Sequence, residues 1–285
     1  LSLLGATLIW GSSFIILKST LDSVPTLWVL ALRFTGAALL MALIGIKELR
    51  MLDRQYLLKG LGLGTALFAA YTLQTFGLEY TTPGKNAFLT ATYCVIVPFM
   101  WWFFTKKRPD RFNIAAALVC IIGMALVSLD GGLSLGLGDA LTICCGFFYA
   151  LHIILTARAV EGRSPVLLSM VQFAVAAVWC WVTAPIVSPF PQGVPASAWW
   201  SIAYLCFMCT GVCFLLQTIG QKHTPPQTAS IILTLESVFG TLLSVLFYHE
   251  RLSFKTAAGF VLIFVAVLIS ETKLSFLKPR SAKRA

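Results

Sequence analysis

The chain has 285 residues, 58% of them hydrophobic and only 11% charged, with a mean hydropathy of +0.87 and a net charge of +10. Soluble domains carry about 25% charged residues, so this chain cannot cover its own surface in water. Its natural solvent is a bilayer, where backbone polar groups must be satisfied within each segment. The basic balance does not point to nucleic acid, because most Lys and Arg gather in short loops and the C-terminal tail, where membrane topology explains them.

A spanning helix needs about 20 mostly apolar residues to cross about 30 Å. Ten such segments fit: 1–19, 26–46, 57–78, 83–104, 112–129, 137–158, 165–187, 197–220, 226–248 and 253–271. The first begins at Leu1, already inside an apolar run and without Met, so a few residues are expected to precede it. It lacks a basic start and a clear A-x-A cleavage pattern, and reads as a membrane helix rather than a removed signal. Trp10 lies near its centre, whereas interfacial Trp is the common case. With Gly11, Ser12 and Ser13 beside it, and Phe14 a turn further on, it suggests a cavity wall with close helix approach; the alternative is lipid-facing bulk.

In the second segment Arg33 lies about 12 Å from the outer side by the helical rise. The third carries Gly60-x-x-x-Gly64, a small-residue packing pattern. The fourth carries Tyr93, Pro98 and the belt-like pair Trp101 and Trp102. His152 in the sixth is a potential proton shuttle by its ordinary pKa near 6.5, although a hydrogen-bonded packing role is the plainer reading. Gln172 follows in the seventh. Cys206-x-x-Cys209 in the eighth has redox or metal spacing, but no nearby His or second pair completes a site, and small-residue packing accounts for it better. Neither a cofactor nor a metal is expected.

Glu236 lies about 15 Å into the ninth segment, at the midplane. Charges at that depth are costly and face a cavity or a partner. Arg33 and Glu236 have opposite signs and similar depths. They are expected to pair in at least one conformation or jointly to read a zwitterionic substrate; a fixed structural ion pair is the competing reading. Ser230, Thr234, Ser237, Thr241, Ser244 and Tyr248 form one polar stripe along the same helix, read as packing. Lys18, Lys107-Arg108 and Glu250-Arg251 end helices near the surfaces, as potential gate contacts or, more simply, snorkelling anchors.

Lys and Arg in or beside alternate loops, with the tail, number sixteen against four on the other side. The positive-inside rule then makes both termini cytoplasmic. The chain also repeats itself. QTFGLEYTTPG at 74–84 returns as QTIGQKHTPPQ at 217–227, an offset of 143; FIIL at 14–17 meets HIIL at 152–155, and LRF at 32–34 meets VQF at 171–173. Five segments map onto five, and five is odd, so the second copy enters from the opposite side. The expected fold is therefore all-α and integral to the membrane, with ten transmembrane helices as two inverted five-helix repeats. The repeats span 1–130 and 131–273, with a basic cytoplasmic tail at 274–285. Equivalent positions are Tyr93 with Glu236, Arg33 with Gln172, and Phe14 with His152, each pair able to flank one central site. Pro83 and Pro226 each open a helix, and the repeated phrase reads as one corner built twice rather than as a binding motif.

WGSSFIILK at 10–18, LRF at 32–34, YTTPGKNAFLTATYCVIVP at 80–98 and FYHERLS at 247–253 resemble the EamA family of the drug/metabolite transporter superfamily. The resemblance covers nearly the whole chain. It implies a bundle with a central substrate cavity surrounded by helices 1–4 and 6–9, with 5 and 10 peripheral. One departure is visible: helix 9 often carries Glu-Pro in the family and here reads Glu236-Ser237, which puts the expected kink in doubt.

The function expected is a secondary transporter in a bacterial cytoplasmic membrane, exporting small metabolites or amino acids by alternating access, with protons as a candidate coupling ion at Glu236. Candidate substrate-binding residues are Trp10, Phe14, Arg33, Tyr93, His152, Gln172 and Glu236. A channel or facilitator is the alternative. A membrane-embedded enzyme fits less well, because no cluster of carboxylates, His or Cys at helical spacing stands out, and no Walker-type GxxxxGK[ST] is present.

Overall fold

A computed structural model describes residues 1–128, 136–249 and 253–272. They form α1 (Ser2–Leu21), α2 (Thr26–Ile44), α3 (Arg54–Glu79), α4 (Pro83–Thr90), α5 (Tyr93–Thr105), α6 (Arg111–Ser128), α7 (Leu137–Ala159) and α8 (Pro165–Val187). There follow α9 (Ala196–Tyr204), a π-helix (Leu205–Val212), α10 (Cys213–Gln221), α11 (Pro226–Leu233), α12 (Leu235–Tyr248) and α13 (Phe254–Thr272). Among the described residues there is no strand.

Eight helical stretches are long and apolar enough to cross a membrane: α1, α2, α3, α4 with α5, α7, α8, α9 through α10, and α11 with α12. The other two expected spans are helical as well, but their apolar stretches, Arg111–Gly123 in α6 and Ala257–Ala266 in α13, are shorter. The outward surface suits lipid: Leu43, Phe103, Ile186 and Trp200 are all exposed. The basic tail and Glu250-Arg251 lie outside the described residues.

Local chemistry sets the helix ends. Asp53 caps α3 by accepting the Tyr56 N–H at 2.8 Å, and that bond holds its carboxyl below the usual carboxylate range. Thr82 and Ser164 cap α4 and α8 in the same way. Pro83, Pro165 and Pro226 each sit in a first turn, where a missing N–H costs little.

Close approaches at glycine hold the bundle. A Cβ on Gly60 would lie 2.2 Å from Val171, and one on Gly64 would lie 2.5 Å from the Gln172 carbonyl oxygen, so α3 and α8 meet backbone to backbone. A Cβ on Gly11 would lie 2.4 Å from Phe239 Cβ, which brings α1 against α12. α6 packs chiefly on α13, away from the centre.

Two helices are interrupted at equivalent places. α4 gives way to α5 at Ala91–Thr92, and α11 to α12 at Thr234; Ala91 and Thr234 are 143 residues apart. Pro98 sits inside α5, beyond the break, and α12 has no Pro at all. Hydroxyls accompany both breaks. Thr92 donates to the Leu89 carbonyl, Thr234 to Ile231 and Ser237 to Thr234, all three residues back. Such back-bonding competes with the regular ladder and bends helices. The interruption expected from Glu-Pro is thus present without the proline.

Candidate functional site

Just beyond the two breaks stand Tyr93, the first residue of α5, and Glu236, the second of α12. They face each other: Tyr93 Oη donates to Glu236 Oε1 at 3.2 Å. Both line a narrow pocket of about 30 Å³, walled by Trp10, Ser13 and Phe14 of α1, Tyr71 and Gln74 of α3, Tyr149 and Ile153 of α7, Phe214 and Gln217 of α10, and Leu233 of α11. No residue of α6 or α13 takes part among the described residues.

Three pairs in that wall are equivalent by the 143-residue offset of the repeated phrase: Tyr71 with Phe214, Gln74 with Gln217, and Tyr93 with Glu236. The repeated phrase therefore contributes to the pocket, which sequence reasoning missed. Gln74 is held on all sides. Its Nε2 donates to Thr90 at 3.0 Å, its Oε1 accepts from Tyr149 at 2.7 Å, and its backbone carbonyl accepts from Asn86 at 3.1 Å. Gln217 is held through its own helix: Gln221 donates to the Ile153 carbonyl at 2.9 Å and accepts from Gln217 Nε2 at 3.0 Å. Gln217 Oε1 is buried without a partner.

Four of the seven candidate residues line the pocket: Trp10, Phe14, Tyr93 and Glu236. Trp10 is anchored by its indole N–H, 2.6 Å from the Cys209 carbonyl oxygen. That carbonyl belongs to the π-helix, whose wider i to i+5 pattern re-aims backbone groups. The other three candidates stand behind the wall. His152 Nε2 and Gln172 Oε1 bond each other at 2.7 Å, and His152 packs edge-on against Phe214.

Arg33 is buried and does not meet Glu236; among the described residues neither is in an ion pair. Its Nε donates to Thr210 Oγ1 and its Nη2 to Tyr71 Oη at 3.2 Å, with the guanidinium 4.6 Å from the Tyr71 ring centre. The expected Arg33–Glu236 pair is replaced, in this conformation, by a line of rings. Tyr71 lies 5.7 Å from Tyr149, and Tyr149 lies 6.3 Å from Tyr93, which bonds Glu236. Tyr71 and Tyr149 were not singled out from sequence. Tyr71 stands three residues before the repeated phrase at the same offset, so the repeat itself carried the signal.

The ends of the bundle differ. At one, Lys85 pairs with Asp139 at 2.7 Å, Thr81 donates to the same carboxylate, and Lys18 donates to the carbonyls of Leu78, Glu79 and Thr81. Lys18 therefore caps the end of α3 rather than snorkelling. At the other end, around Pro225 and Pro226, lies an open groove walled by Leu3, His223, Thr224, Thr228 and Phe264 among others. Ser230 of α11, Thr234 at the break and Ser237 of α12 line neither space, and each donates to a backbone carbonyl three residues back.

A sequence profile of the EamA-like transporter family matches residues 1–129 and 136–272. The chain belongs to the EamA-like transporter family. An uncharacterized transporter from Archaeoglobus fulgidus is 30% identical over 92% of this chain and 82% of its own length. The uncharacterized transporter YyaM of Bacillus subtilis is 24% identical, over 85% of this chain and 83% of its own. A solved crystal structure, 17% identical, superposes with a TM-score of 0.79 over 97% of both chains, which establishes a shared fold. As an EamA-like protein with apolar spanning helices, the chain is an integral membrane protein, and its relatives carry the name of transporters rather than enzymes.

Proposed function

We propose that the protein is a secondary transporter, working by alternating access, whose substrate site is the pocket beside Tyr93 and Glu236. Its ten helices act as two inverted five-helix repeats, and a small metabolite or amino acid leaves the cell from a bacterial cytoplasmic membrane with both termini inside. One observation carries the reading: equivalent residues of the two halves, three pairs of them, meet in one pocket next to two helices broken at equivalent places. Broken helices meeting at a repeat interface are a common way to build a transporter site, because they free backbone groups where the halves rock against each other.

The unlike ends support a state in which the side with Lys85 and Asp139 is shut. Glu236 is the group that would carry a coupling proton. Reconstitution tests the reading. Purified protein in liposomes should show saturable uptake accelerated by unlabelled substrate trapped on the far side. Flux that never saturates and shows no such exchange would instead mark a channel.

A further inference from the structure

The pocket has a one-sided chemistry. Among the described residues Glu236 is its only charged wall residue and no Lys or Arg lines it, since Arg33 is spent on Thr210 and Tyr71 behind the wall. Nearly every donor group in the wall already holds a protein acceptor. The Trp10 indole donates to Cys209, Ser13 to Trp10, Gln74 to Thr90, Gln217 to Gln221, Tyr149 to Gln74 and Tyr93 to Glu236. The donors left over are the Tyr71 hydroxyl proton and the second amide N–H of Gln74 and of Gln217, all of them neutral.

Acceptors are left over as well. Gln217 is 2% exposed and its Oε1 has no partner. The Gln221 amide fixes that orientation, because its own N–H donates to the Ile153 carbonyl and leaves only its oxygen for Gln217. Glu236, 7% exposed, receives a protein hydrogen bond on Oε1 alone. A buried acceptor without a donor costs stability until something supplies one. The rest of the wall is mostly ring surface, from Trp10, Phe14, Tyr71, Tyr93, Tyr149 and Phe214, with Ile153 and Leu233 beside them. Rings present a negative face that attracts cations.

We propose that the pocket selects a protonated organic amine: N–H groups turned to Glu236 and Gln217, and an apolar or aryl part against the rings. The inference rests on the pocket being the transport site and narrows its substrate class. It separates amines from amino acids. An amino acid brings a carboxylate into a wall that holds no cation and already holds a carboxylate, and desolvating that group unpaired is costly.

The test uses one scaffold with three charge patterns: phenethylamine, L-phenylalanine and 3-phenylpropionate, titrated calorimetrically onto the purified full chain in lipid nanodiscs. Phenethylamine should bind at least about tenfold more tightly than either carboxylate. Glu236→Gln should weaken it by about 10–100-fold, and Gln217→Leu by about tenfold. Gln217→Glu should tighten it, which keeps the idea testable if Glu236→Gln does not fold. No binding of phenethylamine, or L-phenylalanine binding as tightly, overturns the amine assignment. Transport is read separately in liposomes. Amine binding without any flux would sink the carrier reading and leave the site; flux of a different solute without amine binding would do the reverse.

Discussion

Tyr93 and Glu236 stand 143 residues apart at equivalent positions of the repeat, and Tyr93 donates directly to Glu236 across 3.2 Å. In the proposed inverted repeat, two equivalent groups can touch only near the axis that relates the halves. A change at this contact is therefore felt by both halves. Tyr93→Phe keeps the ring, its packing against Tyr149 and most of the stability, with an expected loss of about 1 kcal/mol for one hydrogen bond. Transport should fall at least severalfold while the melting temperature barely moves. Unchanged transport would mean that the contact is structural only.

Glu236 is also where coupling should show. Glu236→Gln keeps the shape and cannot release a proton. Wild-type protein in liposomes should respond to an imposed pH gradient, and the variant should move substrate only down its own gradient. A wild-type rate that is flat from about pH 6 to pH 8 removes the proton from the mechanism.

Gly62 and Gly64 are two residues apart in α3 and should respond oppositely to Ala. A Cβ on Gly62 meets nothing nearer than Leu155 at 3.9 Å, so Ala there should be neutral or gain up to about 1 kcal/mol of helix propensity. At Gly64 it would lie 2.5 Å from the Gln172 carbonyl oxygen, and backbone must move, at about 1–3 kcal/mol. Thermal unfolding in one detergent compares the two.

Lys85 and Asp139 join α4 to α7 across what reads as the outer closure. Lys85→Asp and Asp139→Lys should each impair transport by about tenfold through the like charges they create, and the double exchange should recover most of it. Failure of the swap to recover activity would separate these residues from gating.

Thr210→Val tests the role of Arg33. It removes the acceptor of the Arg33 Nε and should destabilise by about 1–3 kcal/mol. Substrate affinity of the folded fraction should hold, because neither residue lines the pocket. A large affinity loss with normal melting would return Arg33 to the site.

The sequence was most legible where the bilayer imposes length. The expected spans 26–46, 137–158 and 165–187 fall within two residues of α2, α7 and α8, because apolar runs and Pro or charged punctuation leave little choice. Tyr93 and Glu236 were legible through depth and repetition together. The breaks at Ala91–Thr92 and Thr234 were less so, since hydroxyl back-bonding leaves no mark as plain as Pro. The π-helix had no readable signature, and with it went the anchoring of Trp10 on Cys209 and of Arg33 on Thr210. Equal depth and opposite charge suggested that Arg33 meets Glu236, but depth fixes height and not rotation about the helix, and Arg33 faces Tyr71. Tyr149 was invisible for a related reason: its equivalent by the 138-residue offset is Gly11, so the repeat gave it no echo.

Lys85 lies in the first repeat and Asp139 in the second, so their ion pair bridges the two halves. The position equivalent to Lys85 is Thr228, which borders the open groove at the opposite end. The two ends of the protein would thus be held by ion pairs of different kinds, Lys85–Asp139 at 2.7 Å with Asp139 buried at one, and Arg163–Asp53 at 3.5 Å with Asp53 exposed at the other. Salt screens the pair with the exposed carboxylate and reaches the part-buried pair much less. A carrier made of two near-copies has no inherent reason to rest facing one way. On the proposed alternating-access reading, the unlike ion pairs at the two ends supply that reason, and ionic strength on one side of the membrane becomes a handle on which way the protein waits.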